Sequence, residues 1–277
     1  MTRRAGVLGW PVKHSLSPLI HRIWAAREGR AISYEAIPVE PGDTAFRAAI
    51  ERLASAGYKG VNVTLPHKER ALAIADEASG EARAAGAANM LTFGKRQVLA
   101  DNSDIAGFAA AVEETGRKPA CALILGAGGA ARGVAVALKR RLGVQRPIIA
   151  NRTRARAQEV ARIVDAETID WSEKESVLAG VDLLVNTTSL GMTGQPPLAI
   201  NLSALAPASI VADIVYAPLE TPLLAAARAR GLGAIDGLSM LMHQAAFGYR
   251  AWLGSAAVVD ADLRARLVAA LNARDGS

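Results

Sequence analysis

Residues 60–68 read Gly-Val-Asn-Val-Thr-Leu-Pro-His-Lys. Val61 and Val63 alternate with polar neighbours, which predicts a strand. Pro66 suits the first turn of a helix, where its missing N–H costs nothing, so a helix is expected from Pro66 to about Ala78. Asn62, Thr64, His67 and Lys68 then crowd around one strand-to-helix turn, where a rigid scaffold holds reactive side chains. A lysine there holds charge or carries a proton, provided that something partners it. A second constellation is His14-Ser15-Leu16-Ser17-Pro18. Two hydroxyls and free N–H groups beside a helix start suit a carboxylate. Taken on its own, Ser17 reads better as an ordinary N-cap, with Pro18 at the first helical position. Gly86-Ala87-Ala88-Asn89 and Asp101-Asn102-Ser103-Asp104 add amides and carboxylates that, taken singly, read as turn chemistry.

A nucleotide site is expected in mid-chain. Gly126-Ala127-Gly128-Gly129-Ala130-Ala131 follows an apolar strand and opens a helix. It fits the G-x-G-x-x-G/A dinucleotide pattern, with Ala131 as the third small residue. Such glycines let a pyrophosphate approach a helix N-terminus. The end of the next strand selects the cofactor. NAD sites carry an acid there for the ribose hydroxyls. Here the run is Asn151-Arg152-Thr153-Arg154-Ala155-Arg156, with no carboxylate. Arginines pair with a 2′-phosphate, and cations at a helix N-terminus oppose its dipole unless an anion joins them. The run points to NADP; the plainer reading is a basic first turn on a surface helix.

The elements that must position these groups alternate. Strands are expected at Ala5–Gly9, Ile32–Val39, Gly60 onward and the hairpin arms Met90–Phe93 and Gln97–Ala100. A second series lies at Ala120–Leu125, Pro147–Ala150, Val181–Val185, Ile210–Ile214 and Ala234–Ile235. Helices are expected at Ser17–Gly29, Thr44–Ser55, Asp104–Glu114, Ala130–Leu142, Arg154–Val164, Met240–Leu253 and Asp260–Ala273. Strand–helix alternation implies an α/β fold with largely parallel sheets. A complete βα region precedes the nucleotide motif, so two domains are expected, with the C-terminal helices packing back on the first.

Composition narrows the class. Of the 277 residues, 51% are hydrophobic and 21% charged, ordinary for a globular protein. No apolar run reaches spanning length, and the start shows no signal-peptide core. One cysteine, Cys121, excludes an internal disulfide framework and lies in an apolar run. Four histidines and that cysteine make no metal-ligand cluster of known spacing. The net charge is +6, but no basic stripe is interleaved with aromatics, as nucleic-acid binding would want. A cytoplasmic protein of small anionic ligands is expected, with no nucleic acid or membrane partner, as a monomer or homodimer.

Taken together and in order, these runs resemble the shikimate dehydrogenase family. Its marks are Gly9–Pro18, Asn62–Lys68, Gly86–Asn89, Asn102-Ser103-Asp104, Gly126–Ala131 and Asn151-Arg152-Thr153. Asn186–Met192, Asp213–Pro218 and Met240–Ala245 continue them almost to the end. The resemblance implies a substrate domain of residues 1–104 completed by 238–277, a Rossmann-type NADP-binding domain of 105–237, and an active cleft between them. It implies Lys68 and Asp104 as the catalytic pair. Ser15 and Ser17 would bind the substrate carboxylate, and Thr64, Asn89, Tyr216 and Gln244 its hydroxyls or carboxylate. Gly126, Ala127, Gly128, Gly129 and Ala130 would hold the pyrophosphate, and Asn151 to Arg156 the adenosine end. Ile214 and Gly237 would line the nicotinamide. The implied activity is reversible NADPH-dependent reduction of 3-dehydroshikimate to shikimate, on the route to chorismate and aromatic amino acids. The alternatives are an NAD-linked quinate/shikimate dehydrogenase and a non-catalytic ligand sensor on the same fold. Ser103, Met90 and Ala100 depart from the family's usual threonine, small or hydroxyl residue and glycine.

Overall fold

The computed structural model describes residues 2–255 and 257–275. The chain divides into two compact units, Met1–Ser103 with Met242–Ala270, and Asp104–Leu241 with Leu271–Ser277.

The first unit is built on β1 (Arg3–Gly9), α1 (Ser17–Arg27), β2 (Ile32–Pro38), α2 (Asp43–Ser55), β3 (Gly60–Val63) and α3 (Lys68–Ala73). The chain continues through β4 (Glu77–Ala78), α4 (Gly80–Ala85), β5 (Met90–Phe93) and β6 (Val98–Asp101). The sheet order is β2-β1-β3-β5-β6-β4. Pairs β1–β2, β1–β3 and β4–β6 are parallel. Pairs β3–β5 and β5–β6 are antiparallel, so this sheet is mixed rather than largely parallel. Leu8, Val61, Val63 and Leu91 of the strands bury against Phe46, Ile50 and Leu53 of α2. The last helices, α9 (Gly237–Trp252) and α10 (Ala261–Asp275), follow much later in the chain. The indole N–H of Trp252 donates to Thr92 Oγ1 (2.8 Å), and that of Trp24 donates to the carbonyl of Val258 (2.7 Å). The expected return of the C-terminal segment to the first region is thereby observed.

An aromatic nest lies inside this unit. His21 is fully buried and stacks on Tyr34 with ring centroids 3.7 Å apart. Its Nδ1–H donates to the carbonyl of Ser17 (2.8 Å). Burial pushes the imidazole pKa down from 6.5 to about 3. The folded state therefore binds fewer protons than the unfolded chain between these values, and stability must fall as pH drops from 6.5 toward 3. A His21→Phe variant, followed by thermal melts at stepped pH, is expected to show a shallower acid limb. An unchanged limb would show that other groups dominate acid unfolding.

The second unit begins with α5 (Ser103–Glu113), which the unit boundary cuts after its first residue. It continues through β7 (Cys121–Leu125), α6 (Gly129–Val136), β8 (Arg146–Asn151), α7 (Arg154–Val164), β9 (Glu167–Asp170) and β10 (Leu183–Asn186). Then come β11 (Ile210–Asp213), α8 (Pro222–Ala229) and β12 (Gly233–Ile235). All strand pairs here are parallel, in the order β12-β11-β10-β7-β8-β9. From β7 the chain winds first to β8 and β9, then crosses to β10, β11 and β12. This is the doubly wound dinucleotide-binding order, whose ligand crevice lies at the strand ends where the winding reverses. Leu123, Leu125, Leu184 and Val211 bury with Leu223 and Leu224 of α8 in its core. Helix α6 passes into a π-helical turn over Ala137–Arg141 instead of running on as α-helix. β9 and α8 were not expected from local pattern. Among the described residues no helix is long and apolar enough to cross a membrane.

Candidate active site

In the first unit the motifs converge on the ends of β1 and β3. Thr64 N–H donates to Leu8 O (2.8 Å), and His67 N–H to Thr64 O (3.0 Å), closing a turn before the helix. Helix α3 therefore starts at Lys68, with Pro66 in the turn ahead of it. It stops at Ala73, well short of the expected Ala78. The reason is tertiary: Asp76 N–H bonds Val98 O, and β4 pairs with β6. The ring of His67 is buried against Phe46, with Nε2 bonded to the carbonyl of Val39 (2.9 Å). Lys68 itself is half-exposed. Its carbonyl accepts from Ala88 N–H (2.9 Å), while Asn89 O accepts from Val63 N–H (2.7 Å). The Gly86–Asn89 run is thus tied to both ends of the lysine turn.

The amides are oriented by Ser103. Asn89 Oδ1 accepts from Ser103 N–H (2.7 Å) and lies 3.2 Å from Ser103 Oγ. That hydroxyl is also 3.3 Å from Gln244 Oε1 on α9. With its oxygen occupied, Asn89 has its NH2 group left as a donor. Asn62 is a scaffold residue that the sequence left without a role. Its Oδ1 accepts from Tyr34 O–H (2.7 Å), and its Nδ2 donates to Asn89 O (3.3 Å). A polar residue between two strand valines was the signal that could have found it.

Ser17 is not an N-cap. The residue before it, Leu16, is already helical (φ −84°, ψ −11°), and no side chain caps α1. Instead Ser15 Oγ accepts from Ser17 N–H (3.2 Å). The Ser17 hydroxyl is therefore not engaged in capping; the buried side chain hydrogen-bonds Tyr34 instead.

In the second unit, β7 delivers the glycine-rich turn. Gly126 has φ +110°, a left-handed conformation that favours glycine, and an added Cβ would lie 2.6 Å from Thr187 Oγ1. Gly128 is the residue before α6, and nothing lies within 4 Å of the position its Cβ would take. Ala127, Gly129 and Ala130 flank it, partly exposed. An open backbone cradle at a helix N-terminus fits a pyrophosphate.

The exit of β8 carries the basic run. Asn151 Nδ2 donates to Thr153 O (2.9 Å), and Thr153 precedes α7. Arg154 Nη1 donates to both carboxylate oxygens of Asp170 of β9, at 3.0 and 3.2 Å. Arg152 and Arg156 are exposed beside Ala155 and form no ion pair among the described residues. Across the sheet, Ile214 and Tyr216 leave β11 half-exposed on either side of buried Val215. Gly237 opens α9 where any Cβ would overlap the backbone of Ile214, so glycine permits that close approach. Asp104, the second residue of α5, is 8% exposed.

Two family models cover this layout. Residues 7–91 match the shikimate dehydrogenase substrate binding domain, and residues 108–193 match shikimate / quinate 5-dehydrogenase. A shikimate dehydrogenase (NADP(+)) of Methylobacterium radiotolerans is 50% identical over 98% of each chain. This chain belongs to the shikimate dehydrogenase family. Shikimate 5-dehydrogenase of Thermus thermophilus, solved with NADP(H) and shikimate, is 33% identical. It superposes with a TM-score of 0.86 over 98% of this chain and all of that one. Quinate dehydrogenase of Corynebacterium glutamicum, solved with NAD, has a TM-score of 0.87 at 27% identity, over 97% of this chain and 99% of its own. The shikimate dehydrogenase fold thus accommodates both cofactors and both ring acids among relatives. The choice for this chain rests on its own residues.

Proposed function

We propose that this chain catalyses the reversible NADPH-dependent reduction of 3-dehydroshikimate to shikimate. The observation that carries this reading is the Lys68 turn. It is joined by backbone hydrogen bonds to the run ending in Asn89, whose amide is held by the serine that also faces Gln244. Such a set of one cation and several oriented amides and hydroxyls suits a small polyhydroxylated ring bearing a carboxylate. The substrate domain is residues 1–104 completed by 238–277, and the cofactor domain is 105–237.

Ser15 and Ser17 bind the carboxylate, and Thr64, Asn89, Tyr216 and Gln244 bind hydroxyls or the carboxylate. Gly126 to Ala130 cradle the pyrophosphate, and Asn151 to Arg156 meet the adenosine end, with Arg152 and Arg156 taking the 2′-phosphate. Ile214 and Gly237 line the nicotinamide. When bound, NADPH supplies a hydride to the ring carbonyl carbon. Lys68 ammonium stabilises the developing alkoxide and gives it a proton, with Asp104 orienting the lysine. In the reverse direction the neutral lysine accepts the hydroxyl proton.

An NAD-linked quinate enzyme is not favoured, because Arg152 stands where NAD sites carry an acid. The protein acts in the cytoplasm, as a monomer or homodimer, on small molecules alone. The test is initial rates with shikimate and quinate, each against NADP and NAD. The highest kcat/KM is expected for shikimate with NADP. A clear preference for quinate with NAD would overturn the reading.

A further inference from the structure

Asp213, at the end of β11, is a carboxylate that the reaction above does not use. It is 2% exposed, and no cation lies within ion-pair distance of it among the described residues. Oδ1 accepts from Asn186 Nδ2 (3.0 Å) and from Val215 N–H (3.0 Å), and Oδ2 from Thr221 Oγ1 (2.8 Å). Burial pushes the carboxyl pKa up, and these three bonds oppose that shift. Each donor belongs to a different element. Asn186 closes β10, Val215 lies just beyond β11, and Thr221 is the N-cap of α8, its Oγ1 accepting from Leu224 N–H (3.3 Å). The same stretch is held from two other sides. Ile214 N–H donates to Asn186 O (3.1 Å), and Gly237 N–H to Val215 O (3.2 Å). Val215 is thereby buried, while Ile214 and Tyr216 stay half-exposed.

We propose that Asp213 is a positioning residue, whose carboxylate fixes the backbone of Ile214 to Tyr216. It thereby aligns a nicotinamide contact and a substrate contact on one rigid turn. This rests on the reading of Ile214 and Tyr216 given above. Asp213 touches neither ligand; it acts through the turn. A merely structural carboxylate would change stability and leave both KM values alone.

Geometry also predicts which substitution is tolerated. In Asp213→Asn the amide oxygen takes the two donors at the Oδ1 position, and the NH2 group faces Thr221 Oγ1. A hydroxyl accepts as well as donates, so the network survives. In Asp213→Ala the buried Val215 N–H loses its acceptor, and the turn loses its hold.

The test combines deuterium exchange with steady-state kinetics on the full-length enzyme. In Asp213→Ala, exchange at residues 214–216 is expected to accelerate while residues 183–185 of β10 stay protected. KM for NADP and for shikimate should each rise by about tenfold, the scale of a lost charged hydrogen bond, with a smaller fall in kcat. Asp213→Asn should restore all three. If Asp213→Ala yields no soluble protein, Thr221→Val removes the Oδ2 bond together with the α8 cap bond to Leu224 N–H, leaves both Oδ1 bonds in place, and should give the same pattern at lower amplitude. Unchanged exchange, faster exchange with wild-type KM values, or an asparagine variant as impaired as the alanine one each overturns the proposal. Tyr216→Phe, measured alongside, separates the two ideas. An unaltered shikimate KM there sinks the reading of Tyr216, and the effect of Asp213 is then judged on exchange and the NADP KM alone.

Discussion

Lys68→Ala is expected to lower kcat by about 10²- to 10⁴-fold, the usual contribution of a positioned acid–base group, with the shikimate KM close to wild type. Loss of an interaction made in the transition state lowers kcat and kcat/KM together. The variant should fold, because the lysine side chain is half-exposed while its backbone is held independently. Its carbonyl accepts from Ala88 N–H, and the preceding His67 is anchored on Val39 and Phe46. Steady-state kinetics in both directions, with a melting curve on the same preparation, make the measurement. Near-native kcat would remove Lys68 from the proton-transfer step. A large rise in KM at unchanged kcat would make it a binding residue instead.

Arg152→Asp is expected to discriminate between the cofactors. Arg152 is exposed and forms no ion pair among the described residues, so its replacement costs the fold little. A hydrogen bond to a charged group is worth about 1.5–3 kcal/mol, or roughly ten- to a hundredfold in affinity. The NADP KM should rise by at least that much, since the new carboxylate also repels a 2′-phosphate, whereas the NAD KM should barely move. Arg154→Ala is the internal control. Its guanidinium is already engaged by Asp170, so its effect on NADP should be the smaller. Equal losses for both cofactors in Arg152→Asp would point to damage to the fold rather than to phosphate recognition.

Much of this candidate site could be proposed from the sequence because its signals are local. The apolar strand before Gly126, the small residues after it and the absence of an acid at Asn151–Arg156 occupy a few dozen consecutive residues. Pro18 marked the start of α1, and Val61 and Val63 marked β3, because pattern and proline geometry act over one turn or one strand. The errors fall where local rules were silent or tied. A serine beside a helix start reads as a cap, yet the backbone at Leu16 was already helical and left Ser17 inside α1. β4 is only two residues long and β9, Glu-Thr-Ile-Asp, carries a single aliphatic residue, so neither shows a period; both exist through ladders with β6 and β8.

The sequence by itself determined the class of chemistry: a lysine turn, paired serines, a dinucleotide cradle and basic residues after the second strand of the cofactor fold. Tertiary structure decided how these groups are aimed. Ser103 orients Asn89 and reaches Gln244, 141 residues away. Tyr34 holds Asn62, and Asp213 gathers donors from three separate elements. Side-chain amides and carboxylates take their direction from whichever donors and acceptors the fold brings to them. Apart from Val215 and Thr221, those partners lie far along the chain, beyond the reach of any local pattern.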